Sequence, residues 1–368
     1  MKVAIVHDWL VNFGGAEQVV LSLLKIFPDA DIFTLVYDKK KMQNCFPHSR
    51  IFTSDMQRIP FAKKLYTKLL SVMPRAFESF DLSAYDLVIS SSSSCAKGVI
   101  TSPQALHVAY IHTPMRYAWD LFFDYKKRSG FITRFFMNVF MPRIREWDFI
   151  SAQRIDVVIA NSKYIQKRIK KFWSRDSRVI YPPVHTEKIF PAKNPSKDFY
   201  LAFSRLVPYK RIDIALDACL QLGKKLVIVG SGSEEKKLKK RANGNALISF
   251  KGRISDEELL PLMQNCKALL FCAEEDFGII PLEVQAAGRP VIAFKKGGAL
   301  ETVIENKTGI FFDEQNATSL ADAIRAFEKF DAKNAFKKTA MVQNAKRFSE
   351  ARFLEEMRTL INTISKTQ

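Results

Sequence analysis

The sequence predicts an α/β protein made of two Rossmann-like halves, on three observations. Apolar runs of strand length recur along the chain, each followed by a turn and an apolar pattern of helical period. The pattern begins twice, at Val3 and again at Tyr200, with the polar run Ala192–Lys197 marking a linker ahead of the second start. The 368 residues, 47% of them apolar, are enough for two sizeable cores. The expected domains are 1–185 and 186–350. A last helical segment, 351–368, carries Phe353, Met357, Leu360 and Ile364 on one face.

The first half opens on a buried strand, Val3–Val6. His7, Asp8 and Trp9 follow, and Gly14-Gly15 leads into a helix with Val19, Val20, Leu23 and Leu24 at apolar positions. Strand, glycine turn and helix make a Rossmann-type unit. The spacing is not G-x-G-x-x-G, which disfavours a dinucleotide site. Asp31–Val36 is a second strand. In residues 56–75, Phe61, Leu65, Leu69 and Met73 recur at every fourth position, which predicts one apolar helical face. Arg58, Lys63, Lys64, Lys68 and Arg75 decorate it, with no acid inside. Such a stretch suits an anionic membrane surface as well as it suits packing on its own domain.

Tyr85–Ser90 and Leu106–Ile111 are further strands. The first runs into a series of serines and the second ends in His112. α/β folds bind ligands at the carboxyl ends of their strands, so His112 is a candidate site residue. Residues 126–145 are basic and aromatic again. Lys126, Lys127, Arg128, Arg134, Arg143 and Arg145 interleave with Phe131, Phe135, Phe136, Phe140 and Met141. Part of this segment is expected in the core and part at an interface. Asp156–Asn161 closes the first half, and Asn161 or Ser162 caps the next helix.

The second half begins with the strand Tyr200–Ser204 and the basic loop Arg205–Arg211. Leu226–Gly230 is a strand whose turn, Gly230-Ser231-Gly232-Ser233, lacks the third glycine and the acid of a dinucleotide fingerprint. Ala246–Phe250 is a strand, followed by the loop Lys251–Ile254 with Arg253. Ser255 and Glu258 form a capping box.

The stretch Leu270–Glu301 carries most of the chemistry. Glu275 and Glu283 stand with seven residues between them, and Phe277 and Gly278 follow the first. A helix is expected from Pro281 to Ala287, since proline is tolerated in a first turn. The N–H groups from Gly278 to Ile280, Ile279 among them, are then unpaired donors suited to an anion. A carboxylate repels a phosphate, so both acids are better placed to accept hydrogen bonds from hydroxyls. Hydroxyls beside a phosphate point to a sugar nucleotide.

This block resembles the E-x7-E signature of retaining glycosyltransferases of the GT-B fold, family 4. The flanking Phe277-Gly278, the run Ala287-Gly288-Arg289-Pro290-Val291 and Gly297-Gly298 with Glu301 follow in the family's order. The string His112-Thr113-Pro114-Met115-Arg116-Tyr117-Ala118-Trp119-Asp120 is similar to a branch that includes bacterial O-antigen mannosyltransferases. Pro182-Pro183-Val184 resembles the family's domain crossover, with His185 where an aspartate is usual. The resemblance implies two Rossmann-like domains facing across a cleft and a last helix crossing back to the first domain. It implies that Arg205 and Lys210, matching an R-x4-K pair, bind the donor diphosphate without a metal. It places Glu283 on the ribose, and Glu275 with the N–H groups of Phe277 and Gly278 on the sugar. Arg253 falls at the base, Gly14 and Gly15 at the diphosphate, and His112 at the sugar's primary hydroxyl. The implied reaction is transfer with retention, most simply by front-face attack, with mannose from GDP-mannose as the leading donor and UDP-sugars as the alternative. The implied acceptor is a lipid-linked oligosaccharide of bacterial surface polysaccharide.

Composition bounds the remaining classes. The net charge of +19 fits an anionic substrate, membrane surface or nucleic acid. No recognised nucleic-acid module accompanies it, so nucleic acid is not expected as a partner. The incomplete glycine fingerprints argue against an oxidoreductase. No apolar run reaches the ~18 residues of a spanning helix. The start, MKVAIVHDWL, lacks the features of a signal peptide. Five scattered cysteines fit free thiols in a reducing compartment, and the five histidines form no metal-ligand pattern. The expected location is cytoplasmic, peripheral on the inner face of the membrane.

Overall fold

The computed structural model describes residues 1–333 and 335–365, with Arg128 through its backbone. The chain divides into two compact units. One is Met1–Pro183 together with the chain from Phe353 on, and the other is Val184–Arg352.

The first unit holds a seven-stranded sheet: β1 (Val3–His7), β2 (Asp31–Thr34), β3 (Ile51–Thr53), β4 (Leu87–Ser92), β5 (Leu106–Ile111), β6 (Val157–Ala160) and β7 (Arg178–Val179). Its order is β3-β2-β1-β4-β5-β6-β7, and every pairing is parallel. β1, β4 and β5 are buried at every residue, as a parallel sheet covered on both faces requires. The order reverses between β1 and β4. At such a switch point the loops diverge and leave a crevice at the strands' carboxyl ends. The last helix, Glu350–Ser365, sends Phe353, Met357, Leu360 and Ile361 into this unit's core beside Val3, Ile5 and Tyr110.

The second unit holds six parallel strands: β8 (Tyr200–Phe203), β9 (Leu226–Val229), β10 (Ile248–Gly252), β11 (Leu269–Phe271), β12 (Val291–Phe294) and β13 (Gly309–Phe312). Their order is β10-β9-β8-β11-β12-β13, so the switch point falls between β8 and β11. Both halves are therefore Rossmann-like. Ser162 proves to be the cap of the helix Lys163–Trp173, accepting from Ile165 N–H at 3.1 Å. The capping box at Ser255 and Glu258 forms with both hydrogen bonds.

Two expectations fail. Residues 56–75 do not make one helix. The chain forms 3₁₀ turns at Asp55–Arg58 and Tyr66–Lys68, a short helix at Ala62–Leu65 and another at Met73–Glu78. Pro60 lacks an N–H, Phe61 takes a left-handed φ of 59°, and Pro74 is accommodated only in a first turn. The fourfold spacing is thereby scattered: Met73 is buried, whereas Phe61 and Leu65 are exposed. The run Ala192–Lys197 is not the linker either. The chain passes from one unit to the other at Pro183 and Val184. Residues 196 and 197 are tied into the second unit through Asn265, which accepts from Ser196 N–H at 3.2 Å and Lys197 N–H at 3.0 Å. Polarity there signalled exposure and not a boundary.

The aromatic segment is divided between core and solvent. Its helix, Phe131–Gln153, buries Met137, Met141 and Ile144. Phe131 is 86% exposed, Ile132 72%, Phe135 60% and Phe136 52%. Arg134 fastens this helix to the preceding one, Phe122–Arg128, by donating to the carbonyls of Lys126 at 3.0 Å and Lys127 at 2.8 Å. A cation at a helix carboxyl end meets unpaired carbonyls and the negative end of the dipole.

Candidate active site

The loops at the second unit's switch point are locked to their neighbours by glycines. Gly298 N–H donates to the Glu275 carbonyl at 2.8 Å. A Cβ on Gly298 would lie 2.2 Å from the Phe277 carbonyl oxygen, and one on Gly297 2.3 Å from that of Glu275. Any larger residue would push the loop after β12 off the loop after β11. On the other side, Gly230 adopts φ of 126°, and its absent Cβ would fall 1.9 Å from the Ser204 carbonyl oxygen. Leu206 N–H donates to Ser231 O at 2.9 Å, which fixes the start of the basic loop.

Onto this scaffold β8 and β11, adjacent strands, project Lys210 and Glu275. The Lys210 ammonium forms a direct ion pair with the Glu275 carboxylate, both largely buried. The resemblance assigns these residues separate ligands, and the structure joins them to each other. Arg205, on the same loop, is exposed, and its guanidinium donates to the Tyr209 hydroxyl at 2.8 Å. The Tyr209 ring also lies 5.2 Å from the Lys210 ammonium. Tyr209 thus touches both cations, a role the motif did not reveal.

The helix after the acidic loop is Ile279–Ala286, starting two residues earlier than expected, with Gly278 as its left-handed cap at φ 89°. The early start puts Ile279 in the first turn and Glu283 in the second. Glu283 is half-buried, and its carboxylate has no hydrogen-bond or ion-pair partner among the described residues. Loss of hydration, with Asp256 adding, pushes its carboxyl up to about 7. Phe277 is buried against Phe348 at 5.6 Å between ring centroids. Arg253 follows β10, is exposed, and bonds to none of these residues.

In the first unit the switch point is filled differently. The Asp8 carboxylate, just beyond β1, accepts four backbone N–H groups from the loop after β4. Ser93 and Ser94 donate to Oδ2 at 2.6 and 3.0 Å, and Cys95 and Ala96 donate to Oδ1, each at 2.9 Å. Gly14 caps the helix Gly15–Ile26, and its missing side chain leaves room for the Glu17 carboxylate, 3.3 Å from where a Cβ would be. Glu17 in turn meets His7 at 3.4 Å. Burial disfavours charge on His7, yet Glu17, helped by Asp8 and the Ser91 carbonyl, outweighs it and raises the imidazole above its ordinary value. His112 Nε2 lies 2.8 Å from Ser91 Oγ. Burial, with His7 adding, drives His112 down to about 3, so it is neutral at physiological pH.

The string after His112 has a structural reason. Arg168 donates to Thr113 Oγ1 and to Asp120 Oδ1, each at 2.6 Å, and so holds both ends of that loop. Arg168 sits more than 40 residues downstream, beyond the reach of any local pattern. The histidine reading also needs a correction. His185, Glu187 and Glu350 bring ligand atoms within 4.8 Å of one another, a grouping that sequence spacing hides. The structure places His185 Nδ1 3.2 Å from a Glu187 carboxylate oxygen and 3.5 Å from one of Glu350. All five cysteines are unpaired. No helix among the described residues is long and apolar enough to cross a membrane.

Comparison with known proteins agrees with this geometry. Residues 13–188 match the family model Glycosyltransferase Family 4, and residues 185–348 match the model Glycosyl transferases group 1. The chain belongs to glycosyltransferase family 4 and has the GT-B fold. It is 27% identical to mouse alpha-1,3/1,6-mannosyltransferase ALG2, over 94% of this chain and 92% of that one. It is 32% identical to a GDP-mannose-dependent alpha-(1-6)-phosphatidylinositol monomannoside mannosyltransferase of Mycobacterium tuberculosis, over 46% of this chain and 51% of the relative. With several curated relatives, that one included, the match spans about half of their length, from 48 to 57%. Among solved structures, Anabaena HepE in complex with UDP superposes with a TM-score of 0.74, covering 99% of this chain and 100% of that one at 19% identity.

Proposed function

We propose that this protein is a retaining glycosyltransferase that moves mannose from GDP-mannose to a lipid-linked oligosaccharide in bacterial surface polysaccharide synthesis. The observation that carries the reading is the Lys210–Glu275 ion pair at the switch point of the second unit, with Arg205 beside it. Departure of a nucleoside diphosphate builds negative charge on phosphate oxygens. A guanidinium and an ammonium stabilise that charge by charge-assisted hydrogen bonds, strongest where water is excluded. In the free protein Glu275 neutralises Lys210. A bound donor separates the two: its diphosphate takes Lys210 and Arg205, and its sugar hydroxyls take Glu275 and the N–H of Gly278. Glu283 is left to accept the ribose hydroxyls, its carboxylate having no partner of its own. No metal is needed to carry this charge.

Mannose and GDP are supported by the mannosyltransferase names among the relatives and by the His112–Asp120 string. The structural neighbour holding UDP supports the alternative, a UDP-sugar donor. Thermal shifts against GDP, UDP, ADP and their sugars test the choice, because a ligand that binds only the folded state raises its stability. The reading predicts the largest shift with GDP-mannose and release of GDP when an acceptor is supplied. A shift with UDP-glucose alone would redirect it.

The acceptor is read from the first unit's surface. Phe131, Ile132, Phe135 and Phe136 are exposed on one helix, and Phe123, Lys126, Lys127 and Arg134 line an open depression next to it. Aromatic side chains interleaved with cations suit the headgroup zone of an anionic bilayer. The protein is expected to float with anionic liposomes at low salt and to be released as salt rises. Pelleting free of anionic vesicles at low salt would argue for a soluble acceptor.

A further inference from the structure

A continuous hydrogen-bonded line runs through the first unit from Glu17 to His7, Ser91 and His112. The parallel register of β1 and β4 sets His7 directly beside Ser91. Ser91 is fully buried, and its hydroxyl is shared by both rings, 3.2 Å from His7 Nδ1 and 2.8 Å from His112 Nε2. The protons can be assigned by elimination. His7 Nδ1 also lies 3.1 Å from the Ser91 carbonyl oxygen, which only accepts, so His7 Nδ1 carries a hydrogen. That N–H points at both Ser91 oxygens, and the hydroxyl receives from it. The one hydrogen of Ser91 is then given to His112 Nε2. His112 Nε2 is therefore an acceptor, and the hydrogen of this neutral ring must sit on Nδ1. Among the described residues nothing bonds to that N–H.

We infer that Glu17, His7 and Ser91 are positioning residues that hold His112 in its Nδ1–H tautomer and present that N–H to an oxygen of the sugar substrate. The inference rests on the transferase reading for the identity of the oxygen, but not for the tautomer. Glu17 sits at the head of the line, opposite His7 Nε2, and fixes the orientation of that ring. Gly14 acquires a further role, since a Cβ there would crowd the Glu17 carboxylate at 3.3 Å. Burial adds to the argument by keeping His112 uncharged, so one ring nitrogen and not both bears hydrogen. An unconstrained imidazole favours the other tautomer, with its hydrogen on Nε2.

Long-range proton–nitrogen NMR of the imidazoles in the ligand-free full chain tests this, with His112→Gln assigning the signal. The expected wild-type spectrum shows His112 protonated at Nδ1 and unprotonated at Nε2 between pH 6 and 8. Ser91→Ala is expected to move it toward the Nε2–H form and to lower kcat/KM for sugar transfer by about tenfold, the worth of one neutral hydrogen bond. Ser92→Ala is the control. Ser92 neighbours Ser91 on the same strand and is just as buried, but its hydroxyl has no partner, so neither readout should change. A wild-type His112 protonated at Nε2, or averaging between tautomers, overturns the proposal, as does a Ser91→Ala spectrum identical to wild type. The wild-type spectrum decides alone should Ser91→Ala not fold. Failure to transfer sugar would sink the transferase reading and leave the tautomer untouched.

Discussion

The two units share a topology and use its switch point in opposite ways. In each, the first strand and the fourth lie side by side, and their loops open a crevice. In the first unit that crevice is closed by the protein's own anion: Asp8 takes the four N–H donors that the loop after β4 offers. In the second unit the corresponding strands carry a cation and an acid, Lys210 and Glu275, with Arg205 exposed beside them. A nest of N–H groups already holding a carboxylate has no place for a phosphate. A cation held by a part-buried acid can exchange partners. Under the proposed function, the comparison accounts for a diphosphate binding at Lys210 and Arg205 in the second unit and not at the Asp8 nest of the first, although both units are Rossmann-like.

Removing Lys210 should have the largest effect. Lys210→Ala takes away one cation and leaves Glu275 without its partner. We expect a loss of roughly 10²–10³ in kcat, the usual worth of one preorganised electrostatic contact. Steady-state kinetics measure it, and a loss under tenfold would detach Lys210 from the leaving group.

Asp8→Ala breaks the comparison from the other side. Four N–H groups, three of them buried, lose their acceptor, and we expect about 3 kcal/mol of destabilisation in urea unfolding. Phosphate should restore part of that loss, because the emptied nest is then free for an anion. A variant as stable as wild type would mean that the Asp8 hydrogen bonds are not what closes this crevice.

Glu283 gives a smaller, pH-dependent effect. Its folded value, about 7, lies above the ordinary 4.5. Between those values the folded chain keeps a proton that the unfolded chain has released, so stability is lost as pH rises through this window. Glu283→Gln removes that slope. The variant's melting temperature should gain on wild type from pH 5 to pH 8, while its donor affinity falls. Parallel melting curves across this range would show that burial does not raise the carboxyl.

Much of this was legible in the sequence, and the reasons are local. Strand, glycine turn and helix repeat within a few tens of residues, so the Rossmann-like halves could be read directly. Arg205 and Lys210 share one loop, and Glu275 and Glu283 one loop and helix. What escaped depends on strand order. The Asp8 nest and the His7–Ser91–His112 line exist because β1 and β4 are neighbours, a pairing across more than 80 residues. The Lys210–Glu275 pair likewise needs β8 beside β11. The fourfold spacing in residues 56–75 misleads because Pro60 and Pro74 keep one continuous helix from running through them, Pro74 being tolerated only in the first turn of a new one.

The most direct test compares GDP with GMP. If Arg205 and Lys210 grip the β-phosphate, calorimetry should find wild type binding GDP well over tenfold more tightly than GMP. In Arg205→Ala and Lys210→Ala that ratio should fall toward one while GMP affinity changes little. An unchanged ratio in both variants would contradict the account.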